Sequence, residues 1–150
     1  MYERILVPLD GSRNAEVALK EAIDLAQKFS SELFITSIIN EQQFVAYGYG
    51  MAAPTNFYSE MRERSQRILD EAETKIKDKG IKATTILTNG NPKKAIALEL
   101  PEEYKIDLTV MGKSGVDALS RIMLGSTTSY VVQHSTTKVL VVNDEDDDDK

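Results

Sequence analysis

The chain has 150 residues, a formal net charge of −6 at pH 7 and no cysteine. This length is enough for one domain with an ordinary hydrophobic core. The lack of cysteine excludes disulfides, thiolate catalysis and cysteine-ligated metals, and the single His134 cannot form a metal site alone.

The negative charge is concentrated at the C-terminal end. Residues 144–150 carry six acidic side chains and one lysine, which leaves a net charge of −1 for residues 1–143. A nearly neutral body lacks the clustered Lys and Arg that attract nucleic acid or an anionic membrane, so we expect neither as a partner. We expect one domain over residues 1–143 and a solvated acidic tail over 144–150. Because the last five residues have the form of an enterokinase recognition site, a native tail and the remnant of an expression tag are both open interpretations.

The first residues lead directly into a short apolar run, without the basic and apolar regions of a secretory signal. A membrane-spanning helix would need about 18 consecutive apolar residues, and the sequence has no such run. We therefore expect a cytoplasmic location.

Short apolar runs then alternate with segments of helical periodicity. The runs predict strands over residues 5–9, 33–39, 83–88, 107–111 and 138–142. The apolar spacing predicts helices over residues 14–29, from 61 to about 76, from 92 onward and over 126–135. Strands that alternate with helices favour a parallel sheet covered on both faces, so the predicted fold is a five-stranded, doubly wound α/β domain.

Four features mark where these elements begin and end. Gly80 is expected just beyond the second helix, and Asn91 with Pro92 at the start of the third. Pro101 is expected to end or kink that third helix after Leu100. Residues 40–57 are expected to form a long irregular connection, which in a compact domain is usually functional or mobile.

A glycine motif follows the fourth predicted strand. Gly112-Lys113-Ser114 looks like the end of a P-loop, but that motif needs a glycine at position 107, where the chain has Asp107. The pattern present is G-x2-G-x9-G-S, formed by Gly112, Gly115 and Gly125-Ser126.

Parallel sheets bind ligands beyond the carboxyl ends of their strands, where the strand order reverses. If the first and fourth strands flank that point, Asp10 and the glycine motif face each other across a crevice. Glycines at 112 and 115 would allow positive φ and an anion-binding arrangement of N–H groups. The last helix would begin at Ser126 and Thr127, where unpaired N–H groups favour phosphate, and Asp10 could bind ribose hydroxyls or Mg²⁺.

These residues resemble the universal stress protein family over essentially all of positions 1–143. The resemblance rests on the opening Ile-Leu-Val-Pro-Leu-Asp-Gly-Ser at 5–12, the strand at 107–112, the G-x2-G-x9-G-[ST] spacing and the closing Val-Leu-Val-Val at 139–142. It implies an ATP site in a Rossmann-like sheet of strand order 3-2-1-4-5, and the carboxylate of Asp10 makes Mg²⁺ the metal expected beside it. It also implies a homodimer formed through the last strand, Val139 to Val142.

The resemblance also implies roles for individual residues. Pro8, Leu9 and Asp10 look like the loop that contacts adenine and ribose, and the backbone of Ile38 looks like the adenine edge contact. Other positions look like the wall along the ribose and phosphates and the cradle of the β- and γ-phosphates: Met111, Gly112, Gly115, Gly125, Ser126 and Thr127. Lys113 occupies a variable position of the motif, where a phosphate contact is plausible. Thr137 and Pro101 depart from the family pattern outside this site.

Simpler interpretations remain beside the nucleotide site. Gly112 and Gly115 are also typical of a tight turn, Asp10 with Ser12 of a helix start, and Ser126 and Thr127 of helix caps. Asp10 and Asp117 are the carboxylates near the predicted site, and no P-loop lysine of a known NTPase accompanies them, so we predict no dedicated enzyme and at most weak ATP hydrolysis.

The leading hypothesis is therefore an ATP-binding switch or regulator in a stress response, acting on a protein partner that the sequence does not identify. The alternatives are a nucleotide-free dimeric interaction module and, third, a slow ATPase. Since ATP, ADP, AMP and cyclic nucleotides share the adenine and ribose contacts, the sequence does not select among them.

Overall fold

The computed structural model describes residues 1–40, 42, 56–114 and 124–143. Its strands form one sheet in the order β3-β2-β1-β4-β5, and all neighbouring strands are parallel. The predicted doubly wound α/β fold and its strand order are therefore confirmed. The elements in chain order are β1 (Arg4–Pro8), α1 (Arg13–Phe29), β2 (Glu32–Ile39), α2 (Phe57–Asp78), β3 (Ala83–Asn89), α3 (Pro92–Lys94), a π-helical turn (Ala95–Glu99), α4 (Leu100–Tyr104), β4 (Leu108–Gly112), α5 (Ser126–His134) and β5 (Lys138–Val142).

The strand order reverses between β1 and β4, as the crevice hypothesis requires. These two strands pair only at Ile5 with Leu108 and at Leu6 with Thr109. In contrast, β1 pairs with β2 along its whole length. The carboxyl ends of β1 and β4 thus extend beyond their paired residues, and the sheet opens between them at the position where such folds bind ligands.

The core lies in two layers, one on each face of the sheet. On one face, α1 and α2 cover Ile5, Val7 and neighbouring apolar side chains of β2 and β4. On the other face, the π-helical turn, α4 and α5 cover Leu6, Phe34 and Met111. Alternate residues of β1 enter opposite layers because successive strand side chains point to opposite faces. Both faces of the sheet are therefore buried, which accounts for the nearly continuous apolar runs in the sequence.

Helix α1 follows the predicted amphipathic pattern. Most of its apolar positions are buried against the sheet, whereas Ile23 is half-buried and Phe29 is exposed. The helix begins at the N-cap Ser12, whose hydroxyl accepts from the Ala15 N–H at 3.2 Å. It ends at Ser30, which takes the left-handed conformation with φ of 56°. The predicted caps of the later helices are also confirmed. Gly80 has φ of 74° just beyond α2, and the Asn91 side chain accepts from the Lys93 N–H ahead of the third helix.

Of the two outcomes expected at Pro101, an end of the helix is wrong, and the irregularity there is a π-helical turn ahead of the proline. Helical backbone continues through Pro101 to Tyr104, and a π-helical turn precedes it, with the Leu100 N–H donating to the Ala95 carbonyl. Proline has no N–H to give to the carbonyl four residues earlier, and its ring crowds that group. The group is the Ala97 carbonyl, which accepts instead from Thr136 N at 3.3 Å. The wider turn thus accommodates the proline inside a continuous helical segment.

The predicted boundaries differ from the observed ones by a residue or two at most ends. The larger difference is α2, which begins at Phe57, whereas the sequence placed its start near Met61. Most of the long connection predicted over 40–57, and the acidic tail, lie outside the described residues. No helix in the described ranges has the length and apolarity needed to cross a membrane.

Candidate functional site

The loop after β1 forms one side of the crevice. Asp10 is exposed, and its Oδ1 accepts from the Ser12 N–H at 2.9 Å, which fixes the turn that leads into α1. Gly11 has φ of 84°, a conformation that favours glycine. Ser12 caps the helix, so the helix-start interpretation holds for Ser12. The Asp10 carboxylate is exposed at the loop, with one oxygen engaged by the Ser12 N–H.

Arg64 of α2 lies over this loop, and no pattern in the sequence predicted this contact. Its Nη2 is 3.4 Å from the Asp10 carbonyl oxygen. The same nitrogen would lie 2.9 Å from a Cβ added at Gly11. The absent side chain of Gly11 therefore lets the guanidinium approach the backbone, and α2 contributes to holding the Asp10 loop.

The end of β4 forms the other side, and here the role expected of Gly112 needs a correction. Gly112 is not among the glycines with positive φ, so it does not take the conformation expected of an anion-binding nest. A Cβ at this position would lie 2.5 Å from the main-chain oxygen of Asn14. Real side chains do not tolerate such a contact with backbone. Glycine at position 112 thus allows β4 to pack directly against the first turn of α1.

Asn14 also makes a hydrogen bond across the same contact. Its Nδ2 donates to Ser114 Oγ at 2.8 Å, although the two residues are 100 positions apart. Ser114 is only 9% exposed. Sequence analysis missed both residues, since Asn14 fits an ordinary first helical turn and Ser114 occupies a variable position of the glycine motif. The two residues meet only because β1 and β4 are neighbours in the sheet, so no pattern along the sequence indicates this contact.

The N-terminus of α5 is attached to the end of β4 by two hydrogen bonds. The Gly125 N–H donates to the Lys113 carbonyl at 3.0 Å, and the buried Thr128 hydroxyl donates to the Gly112 carbonyl at 3.0 Å. The N-cap is Gly125, which has no side chain to accept from the N–H groups of the first turn. Ser126 and Thr127 occupy that first turn and are exposed and half-buried, respectively. The interpretation of these two residues as plain caps is therefore wrong.

The apolar residues assigned to the adenine do not share one surface. Leu9 is buried in the core layer under α1 and α2, whereas Ile38 packs against the opposite layer. Only the main chain of Leu9 is thus available to a ligand, and its N–H already donates to Thr36 O at 2.8 Å. Pro8 ends β1 and is half-buried, and Met111 is 5% exposed in the layer that Ile38 contacts.

The remaining candidate residues are placed as follows. Lys113 is half-buried, and its carbonyl accepts a hydrogen bond from the N–H of Gly125, the N-cap of α5. Gly115 lies outside the described residues. His134 is exposed on α5, and its ring lies 4.4 Å from that of Tyr130. Among the described residues, no three His, Cys, Asp or Glu side chains are grouped so that they could hold a metal ion.

A doubly wound α/β domain with an opening at its switch point, a glycine-rich strand end and a helix N-terminus beside it belongs to the class of nucleotide-binding folds. The model of the universal stress protein family matches residues 1–143. The chain is 34% identical over 148 residues to the universal stress protein YxiE of Bacillus subtilis, which covers 95% of this chain and 99% of that one. The chain belongs to the universal stress protein family.

Solved structures agree with this assignment. The structure of the hypothetical protein MJ0577 superposes with a TM-score of 0.84 at 28% identity and covers 97% of this chain and 98% of that one. A universal stress protein solved in complex with cAMP superposes with a TM-score of 0.66 at 26% identity and covers 95% and 97% of the two chains. The second relative shows that this fold can hold an adenine nucleotide in a similar protein.

Proposed function

We propose that the protein binds ATP with Mg²⁺ in the crevice between β1 and β4 and acts as a nucleotide-dependent switch or regulator in a stress response. One observation supports this above the others: the Gly125 N–H donates to the Lys113 carbonyl, so the N-terminus of α5 adjoins the glycine-rich end of β4. An uncapped helix N-terminus favours phosphate through its free N–H groups and its positive dipole end. The similar protein in complex with cAMP supports an adenine nucleotide as the ligand.

The proposed contacts follow the residues of the motif. Asp10 would accept from ribose hydroxyls, Gly112 and Lys113 would line the ribose and α-phosphate, and Ser126 with Thr127 would donate to the outer phosphates. Gly115, assigned from the sequence alone, completes this wall in the proposal. Pro8 and Ile38 would contact the adenine through their exposed parts, and Leu9 through its main chain.

The weakness of the phosphate contacts means that the adenine base must also contribute to the binding free energy. Micromolar affinity corresponds to about 8 kcal/mol, whereas a helix terminus gives an exposed anion about 0.3 to 1 kcal/mol. Contacts to the phosphates alone are therefore too weak, and contacts to the adenine must contribute much of the rest. We expect GTP to bind more weakly than ATP, because its base presents different hydrogen-bonding groups.

The residues present fit a Mg²⁺ ion whose ligands are mostly phosphate oxygens of the nucleotide and water, with one carboxylate from the protein. Mg²⁺ is commonly held by one or two carboxylates together with substrate phosphates and water. Asp10 supplies one such carboxylate, with one oxygen already engaged by the Ser12 N–H. Mg²⁺ would neutralise phosphate charge there, and Asp10 would orient it.

A switch is favoured over a dedicated enzyme by the chemistry of the described crevice. Hydrolysis requires a base or an oriented water beside the γ-phosphate. Among the described residues, Asp10 supplies the carboxylate at this site, and it is assigned to the ribose or the metal; Asp117 lies outside the described residues. Rapid, multiple-turnover ATP hydrolysis that depends on Asp10 would contradict this part of the proposal.

The proposal is tested by calorimetric titration of MgATP into protein freed of bound nucleotide. We expect micromolar binding in the parent protein and about a tenfold loss in Asp10→Ala, because a hydrogen bond to a charged group is removed. Asp24→Ala, which removes an exposed aspartate from α1, is the matched control and should bind as the parent does. Absence of binding in the parent would reject the site and favour the nucleotide-free interaction module.

We further propose that two copies of the chain associate through β5. This strand forms an edge of the sheet, and Val139 to Val142 are half-buried rather than fully exposed or covered. An apolar edge strand presents unpaired N–H and C=O groups that another strand can complete. Val132 of α5, 47% exposed, lies on a helix that packs beside β5 and adds apolar surface.

A further inference from the structure

We propose that Asn14 is a positioning residue of the crevice and that it acts by holding the Ser114 hydroxyl ready to donate to a phosphate oxygen of the ligand. This inference rests on the proposed nucleotide site and specifies one contact within it. Ser114 is the residue that touches the ligand, and Asn14 acts through it.

The geometry comes from two contacts made by one residue. The Asn14 main chain packs on Gly112 so closely that a Cβ there would lie 2.5 Å from the Asn14 oxygen. Its side-chain nitrogen reaches Ser114 Oγ at 2.8 Å. Asn14 therefore contacts both ends of the segment 112–114, and it connects the β1 side of the crevice with the β4 side.

The polarity of the hydrogen bond determines what Ser114 can do next. The Asn14 amide nitrogen only donates, so Ser114 Oγ is the acceptor in this pair. The hydroxyl hydrogen is consequently directed away from Asn14, and Ser114 acts as a donor toward a third group. Ser114 is 9% exposed as a residue, and a poorly hydrated hydroxyl donor gains from an acceptor on a bound ligand.

The position of Ser114 indicates a phosphate oxygen as this acceptor. The carbonyl of the preceding residue, Lys113, accepts from the N–H of Gly125, the N-cap of α5, so Ser114 directly follows the point where β4 meets that helix. An acceptor-only anion is the group that a helix N-terminus and a neighbouring hydroxyl donor both favour. Adenine, in contrast, presents donors as well as acceptors, and apolar contacts bind much of its surface.

The site is held from its other side as well. The Thr128 hydroxyl donates to the Gly112 carbonyl, and Thr128 is 4% exposed. Hydrogen bonds thus hold the segment 112–114 from two sides, through Asn14 of α1 and through Thr128 of α5. Donors that are fixed before the ligand arrives lose little conformational freedom on binding, which is why removing Asn14 should weaken binding although it does not touch the nucleotide.

The test compares MgATP with adenosine by calorimetric titration of the parent and of Ser114→Ala. We expect Ser114→Ala to lose about tenfold to a hundredfold in MgATP affinity and to bind adenosine within about twofold of the parent. Ser59→Ala, which removes an exposed serine hydroxyl from α2, is the matched control and should leave both affinities unchanged. An equal loss for both ligands, or no loss for MgATP, would overturn the assignment of Ser114.

A second set of variants tests the role of Asn14. Asn14→Ala should weaken MgATP and spare adenosine, and the double variant with Ser114→Ala should bind MgATP no more weakly than Ser114→Ala alone. Additive losses would show that Asn14 does not act through Ser114. Asn14→Asp keeps the side-chain shape but replaces the amide donor with an acceptor, so Ser114 would donate to it and MgATP affinity should fall in this variant too. Unchanged MgATP affinity in Asn14→Asp would contradict the proposed polarity.

These outcomes separate the inference from the function on which it rests. If the parent binds no MgATP, the nucleotide site itself is rejected. If the parent binds MgATP and the Asn14 and Ser114 variants bind it equally well, the nucleotide site stands and the positioning pair is rejected.

Discussion

At the scale of single residues, two buried threonines differ in whether the hydroxyl has a hydrogen-bond partner. Thr36 of β2 and Thr109 of β4 are both fully buried, on the strands that flank β1. Thr36 Oγ1 donates to the Ile86 carbonyl at 3.0 Å. Among the described residues, Thr109 Oγ1 is the buried side-chain atom that has no hydrogen-bond partner. A buried hydroxyl without a partner loses its hydration and gains nothing in return.

We expect Thr109→Val to raise the free energy of unfolding by about 1 kcal/mol, because valine fills nearly the same volume without a polar atom. Thr36→Val should lower it by about 1 kcal/mol, since it removes a hydrogen bond that is already made. The measurement is urea unfolding of both variants at one protein concentration, which keeps any association constant. Shifts of the same sign in the two variants would show that packing, and not the hydroxyl, decides the effect.

At the scale of elements, Arg4 connects β1 to the helical segment that precedes β4. Its Nε donates to the Tyr104 carbonyl at 2.7 Å, at the end of α4, where helix carbonyls lack partners. Its guanidinium lies 4.5 Å from the centre of the buried Phe34 ring. The ion pair with Glu32 is longer, at 3.9 Å. The planar stack and the Nε bond should therefore account for most of the stabilisation.

Arg4→Lys should lower the free energy of unfolding by about 1 to 2 kcal/mol, because lysine keeps the charge but has neither the planar group nor the Nε donor. Lys82→Ala is the matched control, since Lys82 is 79% exposed and pairs with the same Glu32 carboxylate at 3.6 Å. That change should cost less than about 1 kcal/mol. Denaturant unfolding at low and high salt measures both. A loss in Arg4→Lys that disappears at high salt would mean that the ion pair carries the effect.

At the scale of the whole molecule, the two edges of the sheet differ in composition. The edge strand β5 reads Lys-Val-Leu-Val-Val, whereas the opposite edge, β3, reads Ala-Thr-Thr-Ile-Leu-Thr-Asn. Threonine and asparagine on β3 are compatible with solvent, and the valines of β5 favour a covered edge. The difference supports β5 as the surface through which two copies associate.

Val141→Lys should convert the proposed dimer to monomers, because a lysine ammonium in an apolar strand pair would lose its hydration without a partner. Thr88→Lys places the same side chain on the opposite edge strand and should leave the dimer intact. Sedimentation velocity at matched concentrations distinguishes the two. A dimer that persists in Val141→Lys would place the interface on another surface of the molecule.

The sequence by itself determined the order and type of the five strands and the main helices, the doubly wound fold and the family. These depend on local patterns: apolar periodicity, cap residues such as Ser12 and Asn91, and a glycine motif with a long fixed gap. Such patterns can be recognised in one chain because each is set by neighbours along the backbone. Gly125 and Ser126 at the start of the last helix were predicted in the same way.

Only the tertiary structure decided which residues meet at the crevice and what each glycine does. Gly112 is required by the backbone of Asn14, and Ser114 is bonded to a side chain 100 positions away. Leu9 and Ile38 were both predicted to contact the adenine, but they lie on opposite faces of the sheet. Contacts of this kind depend on how strands are ordered and how closely helices approach them. Patterns among neighbouring residues do not predict those distances. Pro101 shows the same limit, since the group that satisfies the freed Ala97 carbonyl comes from the distant Thr136.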